Sequence, residues 1–361
     1  CIYTSKTLNR LSLVLCERQR CYILARHIIK LQRACIFMEI RFVDRVEELS
    51  KLMAYAEKGF YPILYLYGPE GSGKTRLLKE FYRAVGDRDD FLVVYVDAQS
   101  VEDLKKAVYA PPQLLQLVVD VAKEFAGSAG RIAALAILQA IRMLKKVFIR
   151  NKHVVVLVDD VAKPLGLDMI EIYSKNMLNL LEDLLAYEAK SVFILATTSE
   201  GVSRSILARH NYVTLAEIWN LDYSSFKELL IELGAPDNIL YDVWKALGGN
   251  PRLAIALRAR GWRLDVLEED LYKGVKVLLE SIARRFRKGL EEVVEDIDKV
   301  SEHPELGKYL LEANLIIPID RPCIGYTPPI DKGMGIGKLY AWQTPLHQRL
   351  VGRYLEEQKD G

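Results

Sequence analysis

Paired cysteines, amide side chains and long apolar runs are scarce in this 361-residue sequence, and each shortage excludes a class of protein. Of five cysteines, Cys1, Cys16, Cys21 and Cys35 crowd the first segment and Cys323 stands alone. No two show C-x-x-C spacing and no histidine completes a zinc pattern, so neither a metal ribbon nor a redox motif is encoded. Free thiols in a reducing, cytoplasmic compartment are the expectation. No run of 18 apolar residues occurs, which predicts no transmembrane helix and no membrane partner. Repeats and low-complexity tracts are missing, so a solenoid or a disordered chain is excluded. Asn and Gln number nine each, an economy that leans toward a heat-adapted source. Acidic residues are almost absent from residues 1–37, where seven Lys/Arg face Glu17 alone. The net charge of the whole is +2, so the remainder is mildly acidic. No global electrostatic case for nucleic acid exists.

What is present suits a large core. Half the residues are hydrophobic and 27% are charged, and the length accommodates two or three domains. Three readings compete for the basic, cysteine-rich stretch 1–37: a helix docked on the body, a targeting segment, or a stretch outside the mature protein. It lacks the apolar core and small-residue cleavage site of a secretory signal. Met38 opens a short strand and then an amphipathic helix over 44–58, and translation from Met38 is the favoured expectation.

Residues 62–78 read PILYLYGPEGSGKTRLL. An apolar strand runs into a glycine-bounded loop, Lys74 and Thr75 follow, and a helical pattern begins. This is G-x-x-x-x-G-K-[ST] in the strand–loop–helix context that its mechanism requires. Glycines let backbone N–H groups turn inward around phosphate oxygens, and the new helix adds its positive end. Gly68, Pro69, Glu70, Gly71, Ser72, Gly73, Lys74, Thr75 and Arg76 are therefore the candidate nucleotide contacts. Lys74 is expected on the β- and γ-phosphates and the Thr75 hydroxyl on Mg²⁺.

Buried parallel strands are expected at 91–96, 153–160 and 191–197, with a short one at 212–215. Between the first two, 3.6-period faces predict helices over 101–108, 113–125 and 132–149. Strand 153–160 ends in Asp159-Asp160, at the sheet edge where α/β folds bind ligands. Asp159 is the candidate metal ligand and Asp160 the candidate general base. The cluster Thr197-Thr198-Ser199 ends the next strand, where a hydroxyl of Thr197 or Thr198 is placed to orient water beside the γ-phosphate. Arg204 and Arg209 are candidates for an arginine supplied to a neighbouring subunit's nucleotide.

From Asp222 the chain turns helical. Gly248-Gly249-Asn250-Pro251-Arg252 breaks one helix and starts another, a corner able to bring Pro251 and Arg252 to the nucleotide. Arg284, Arg285, Arg287 and Lys288 read as a solvated helix face. His347 and Arg349 lie on a closing helix. Helices, a two-stranded hairpin over 315–319 and 339–344, a Pro/Gly-rich loop over 320–338, and that last helix suggest a winged-helix domain.

With these stretches assembled, the chain resembles the archaeal ATPase family, within the STAND branch of AAA-related P-loop ATPases. Phe42 to Glu48, Gly68 to Thr75, Val154 to Asp160 and Gly249-Asn250-Pro251 carry the resemblance. The first is similar to the family's hhGRExE signature, with Arg45 and Glu48 matching, Asp44 where Gly is usual and Val46 where the first Glu is usual. The resemblance implies an α/β P-loop NTPase of the ASCE type with strand order 5-1-4-3-2, a helical lid and a winged helix. It implies ATP and Mg²⁺ as cofactors, Arg45 near the nucleotide base, and hydrolysis that drives a conformational switch. The corresponding division is 1–37, an ATPase core over 38–220, a lid over 221–290 and a winged helix over 291–361. ATP and ADP are the expected ligands, with protein partners or self-association through lid and wing. An ATP-gated DNA-binding protein similar to archaeal replication initiators is the alternative.

Overall fold

The computed structural model describes residues 40–98, 107–112, 115–117, 120, 137–143, 146–160, 169–198 and 201–359. Val43–Gly361 forms one compact unit, and the account below concerns it. The expectations for 1–37, most of those for 101–136 and that for Ser199 lie outside the described residues.

Helix α1 (Val46–Lys58) carries Glu47 and Glu48 in its first turn and Lys58 in its last, charges that match the helix dipole. No strand is assigned over 40–43, where a short one was expected. Strand β1 (Ile63–Tyr67) is buried throughout. Helix α2 (Lys74–Val85) buries Leu77, Leu78, Phe81 and Val85 on one face. Strand β2 (Phe91–Asp97) follows, and then β3 (Val108–Tyr109). The expected helix 101–108 thus ends in a strand. Val108 and Tyr109 pair antiparallel with Val96 and Tyr95, and the Tyr82, Tyr95 and Tyr109 rings meet edge-on. Cross-strand aromatic pairing outweighs the local helical period.

Strands β4 (His153–Asp159) and β5 (Ser191–Thr197) are fully buried and flank helix α3 (Ile170–Ala186) in sequence. Helix α4 (Gly201–Leu207) leads to β6 (Val213–Glu217). The six strands lie in the order β3-β2-β4-β5-β1-β6, parallel except for β3. Burial on both faces explains their near-continuous Val/Ile/Leu runs. On one face Tyr55 of α1 and Phe81 of α2 meet Phe193 of β5. On the other, Tyr65 of β1 shares a 2.7 Å hydrogen bond with Ser174 of α3. Strand β5 therefore stands between β1 and β4, so the two strands bearing the motifs are not neighbours.

Helices α5 (Tyr223–Glu232), α6 (Leu240–Leu247) and α7 (Pro251–Arg258) follow. Long α8 (Leu264–Glu295) kinks at Phe286. Then come α9 (Pro304–Glu312), β7 (Ile316–Pro318), β8 (Tyr340–Trp342) and α10 (Pro345–Glu357). Strands β7 and β8 pair antiparallel. The 320–338 connection is partly structured: Lys332–Met334 form a 3-10 turn, and Cys323 bridges to Glu217 at the end of β6. Glu217 N–H donates to the Pro322 carbonyl at 3.0 Å and Ile324 N–H to the Glu217 carbonyl at 2.8 Å. Main-chain hydrogen bonds thus tie the C-terminal segment to the core sheet.

Candidate functional site

The loop after β1 owes its shape to two close approaches. A Cβ on Gly68 would stand 2.0 Å from the Ile218 carbonyl oxygen. Gly71 has φ +84°, and a Cβ there would meet Arg252 Cβ at 2.6 Å. Only glycine meets both demands without displacing backbone. Lys74 opens α2, buried, and its ammonium donates to the carbonyls of Gly68 (2.8 Å) and Pro69 (2.9 Å). Burial pushes its pKa down to about 7; Asp160, Asp159 and Glu70 favour the charged form and Arg252 opposes it. The carboxylate pair and the lysine therefore lie toward one corner of the sheet.

That corner is wired through β5. Thr197 Oγ1 donates to Asp159 Oδ1 at 2.7 Å and accepts the Asp160 N–H at 2.9 Å. Tyr95 of β2 donates its hydroxyl to Asp159 Oδ2 at 2.9 Å. Asp159 is thus clamped from both neighbouring strands. Asp160 leaves the strand with φ +51°, a left-handed turn that Asp tolerates better than most residues. Thr198, fully buried, donates its N–H to Leu66 O at 3.0 Å and pairs its hydroxyl with Ser203 at 2.6 Å. Its hydroxyl is thus engaged inside the fold.

Arg45 is placed under the loop. Its guanidinium donates to Glu48 Oε1 (2.6 Å), to the Ser72 carbonyl (3.0 Å) and to the Trp219 carbonyl (2.7 Å). It therefore braces the phosphate loop against the turn after β6. Asp44, standing where the signature has Gly, has φ +59°. The left-handed backbone explains the usual glycine. Asp occupies it and accepts the Ser225 hydroxyl at 2.7 Å.

The helical corner reaches the same loop. Asn250 caps α7 by accepting Leu253 N–H at 3.1 Å, and its amide donates to the Glu70 carbonyl at 2.8 Å. Arg252 donates to Glu70 Oε1 at 2.7 Å. Pro251 is the first residue of α7, where its missing N–H costs nothing. Gly249 has φ +79°, and a Cβ there would lie 2.0 Å from Leu221 O.

Other expected residues lie elsewhere. Arg204 is buried, ion-paired to Asp320 and set over the Tyr67 ring, so it is not presented to a neighbouring subunit. Arg209 is exposed, four residues before Val213, which pairs with Ile63 at the start of β1. It stands at the end of the sheet opposite the loop, out of reach of this chain's own site. Arg76 lies on α2 and pairs with Glu80 at 2.7 Å. His347 meets the Thr344 hydroxyl at 2.8 Å, and burial lowers its pKa to about 4. Arg349 pairs with Glu268. Sequence reasoning missed Tyr95, which holds Asp159, Asn220, whose Oδ1 accepts the Asn250 amide at 3.0 Å, and Asn314 and Gln343, which hold Glu70; none belongs to a local motif.

Thr75 and Asp159 offer hydroxyl and carboxylate oxygen, the hard donors that Mg²⁺ takes while keeping several waters. Asp159 Oδ1 accepts Thr197 and Oδ2 accepts Tyr95, and a carboxylate oxygen so engaged still has a second lone pair to offer. The residues fit the ion.

The description "ATPase domain predominantly from Archaea" matches residues 42–257. An uncharacterised ATP-binding protein of Methanocaldococcus jannaschii is 31% identical over 64 residues, 18% of this chain. Another, of Pyrococcus abyssi, is 39% identical over 59 residues, 16% of this chain. The matched stretch spans 17% of either relative's length. Among solved structures, Cdc6p from Pyrobaculum aerophilum is 15% identical with a TM-score of 0.40, covering 90% of this chain and 98% of that one. AMPPCP-bound DnaA from Aquifex aeolicus is 19% identical with a TM-score of 0.37, covering 75% and 83%.

Proposed function

Because this chain belongs to the family of ATPase domains found predominantly in Archaea, we propose that it binds and hydrolyses ATP and works as a nucleotide-driven conformational switch. One observation carries the reading: Lys74 is buried beneath the glycine loop that follows β1, and β5, paired with β1, holds Asp159 and Asp160 through Thr197.

Loop amides from Gly68 to Thr75 and the first turn of α2 bind the β- and γ-phosphates, and Lys74 supplies the positive charge. Thr75 and Asp159 hold Mg²⁺, which when bound neutralises charge on the phosphate oxygens. Asp160 takes the proton of the water that attacks the γ-phosphorus, and ADP leaves. Thr197 is a positioning residue, fixing Asp159 through its hydroxyl and Asp160 through the backbone. Thr198 follows it, and its hydroxyl, paired with Ser203 in this state, would sense the γ-phosphate only by exchanging that partner. Arg45 acts from beneath the loop, holding the Ser72 carbonyl and so the amides that follow. Arg209 serves only a second copy of the chain. The Asn250–Arg252 corner carries nucleotide state into the helical region, and α8, α9, β7–β8 and α10 support reading the tail as a winged-helix module that moves with it.

The test is calorimetric titration with ATP and Mg²⁺ beside a turnover assay. Lys74→Ala should abolish nucleotide binding, whereas Asp160→Asn should retain it and lose turnover. Nucleotide affinity that survives Lys74→Ala would overturn the site.

A further inference from the structure

One residue of the phosphate loop is gripped by four distant residues of the chain. Glu70 donates its N–H to Gln343 Oε1 at 2.8 Å. Its carbonyl accepts the Asn250 amide at 2.8 Å. One carboxylate oxygen accepts Arg252 at 2.7 Å and the other accepts the Asn314 amide at 3.0 Å. Gln343 Nε2 donates in turn to Asn314 Oδ1 at 2.9 Å, closing a ring. Asn314 follows α9 and Gln343 follows β8, so two residues of the C-terminal module grip the loop. Gln343 and Asn250 are buried. A phosphate-loop fold needs none of these contacts, and a loop residue with no packing duty would face solvent.

The grip competes with an incoming polyphosphate. Arg252 is ion-paired to Glu70 at the protein surface, and the Lys74 ammonium is held by the Gly68 and Pro69 carbonyls. Each cation must leave an oxygen of the protein to meet a phosphate oxygen. When Arg252 leaves, Glu70 loses its ion pair, and its carboxylate stands near the arriving negative charge. Whatever strengthens the hold on Glu70 therefore opposes nucleotide, and by reciprocity nucleotide loosens that hold. We infer that Asn314 and Gln343 are positioning residues that set nucleotide affinity through Glu70, an internal anion with which a nucleoside triphosphate competes for Arg252. This rests on the nucleotide-site reading above and adds that the C-terminal module lowers affinity rather than completing the site.

Asn314 has φ +54°, so Asn314→Gly removes the amide without backbone strain. Gln343→Met keeps the length and loses both hydrogen bonds. Calorimetry with ATP and Mg²⁺ on the full chain compares these with wild type, and thermal melts verify folding. Each variant should bind ATP tighter, by about fivefold or more, the low end of allosteric couplings. Loss of stability alone does not tighten a ligand. If one variant fails to fold, the other carries the test. Equal or weaker binding in the folded variants, with Lys74-dependent binding intact in wild type, overturns the coupling and leaves the site standing. Absence of binding in wild type overturns the site reading itself.

Discussion

Replacing Arg45 by Met tests how the loop is braced. The change keeps the length and apolar stem of the side chain and removes its charge. Glu48, 3% exposed, would then be a buried carboxylate without its cation, and the carbonyls of Ser72 and Trp219 would each lose a donor. Water has little room to replace the guanidinium. The backbone of Gly325 lies so near that a Cβ there would be 2.2 Å from the Glu48 carboxyl carbon. Removing one partner of a buried ion pair costs about 3–5 kcal/mol. The lost carbonyl contacts belong to the same side chain and overlap with that figure rather than adding to it. At a few degrees per kcal/mol, the melting midpoint should fall by roughly 10 °C. Arg45→Met/Glu48→Gln removes the stranded charge and should recover at least about 1 kcal/mol. Urea unfolding of wild type, both single variants and the double variant gives the cycle. A loss below about 1 kcal/mol for Arg45→Met, or a double variant as unstable as the sum of the singles, would refute the brace. ATP affinity should fall in parallel, since Ser72 is the loop residue released.

Glu217, 1% exposed, has its pKa pushed up to about 8 by burial, with Arg204 and Tyr67 pulling the other way. The folded state therefore keeps a proton that the unfolded chain releases near pH 4.5. This contribution to stability is complete below about pH 4.5 and is lost as pH rises toward 8. Against Glu217→Gln, wild type should lose stability between pH 5 and 8 by about 1 kcal/mol or more in urea titrations, and a parallel pair of curves would contradict this. Tyr95→Phe removes one of the two donors on Asp159. It should lower turnover several-fold and raise the Mg²⁺ concentration for half-maximal rate, with stability down by about 1–2 kcal/mol. Unchanged Mg²⁺ dependence would show that Tyr95 does not position the metal ligand.

The motifs are legible in the sequence where the chemistry is local. Gly68 to Thr75 and Val154 to Asp160 each carry strand, turn and functional residue within a few positions, so periodicity and glycine placement were enough. The Asp44 departure, odd as a letter, became plain as a left-handed residue. Arg204 misled because its sequence neighbours do not reveal Asp320 or the Tyr67 ring. Val108 misled because the helical period of 101–108 runs into a residue that the sheet edge claims.

The sequence by itself determined the buried strands, the glycine loop, the lysine and the carboxylate pair. Each depends on hydrophobic period and backbone freedom, which act between near neighbours. Only the tertiary structure decided that Tyr95 and Thr197 clamp Asp159 and that Arg45 braces the loop. It also decided that Glu70 is held from positions 250, 252, 314 and 343. Hydrogen bonds spanning 180 to 273 residues leave no periodic trace, because any polar side chain delivered to that place by the fold can make them.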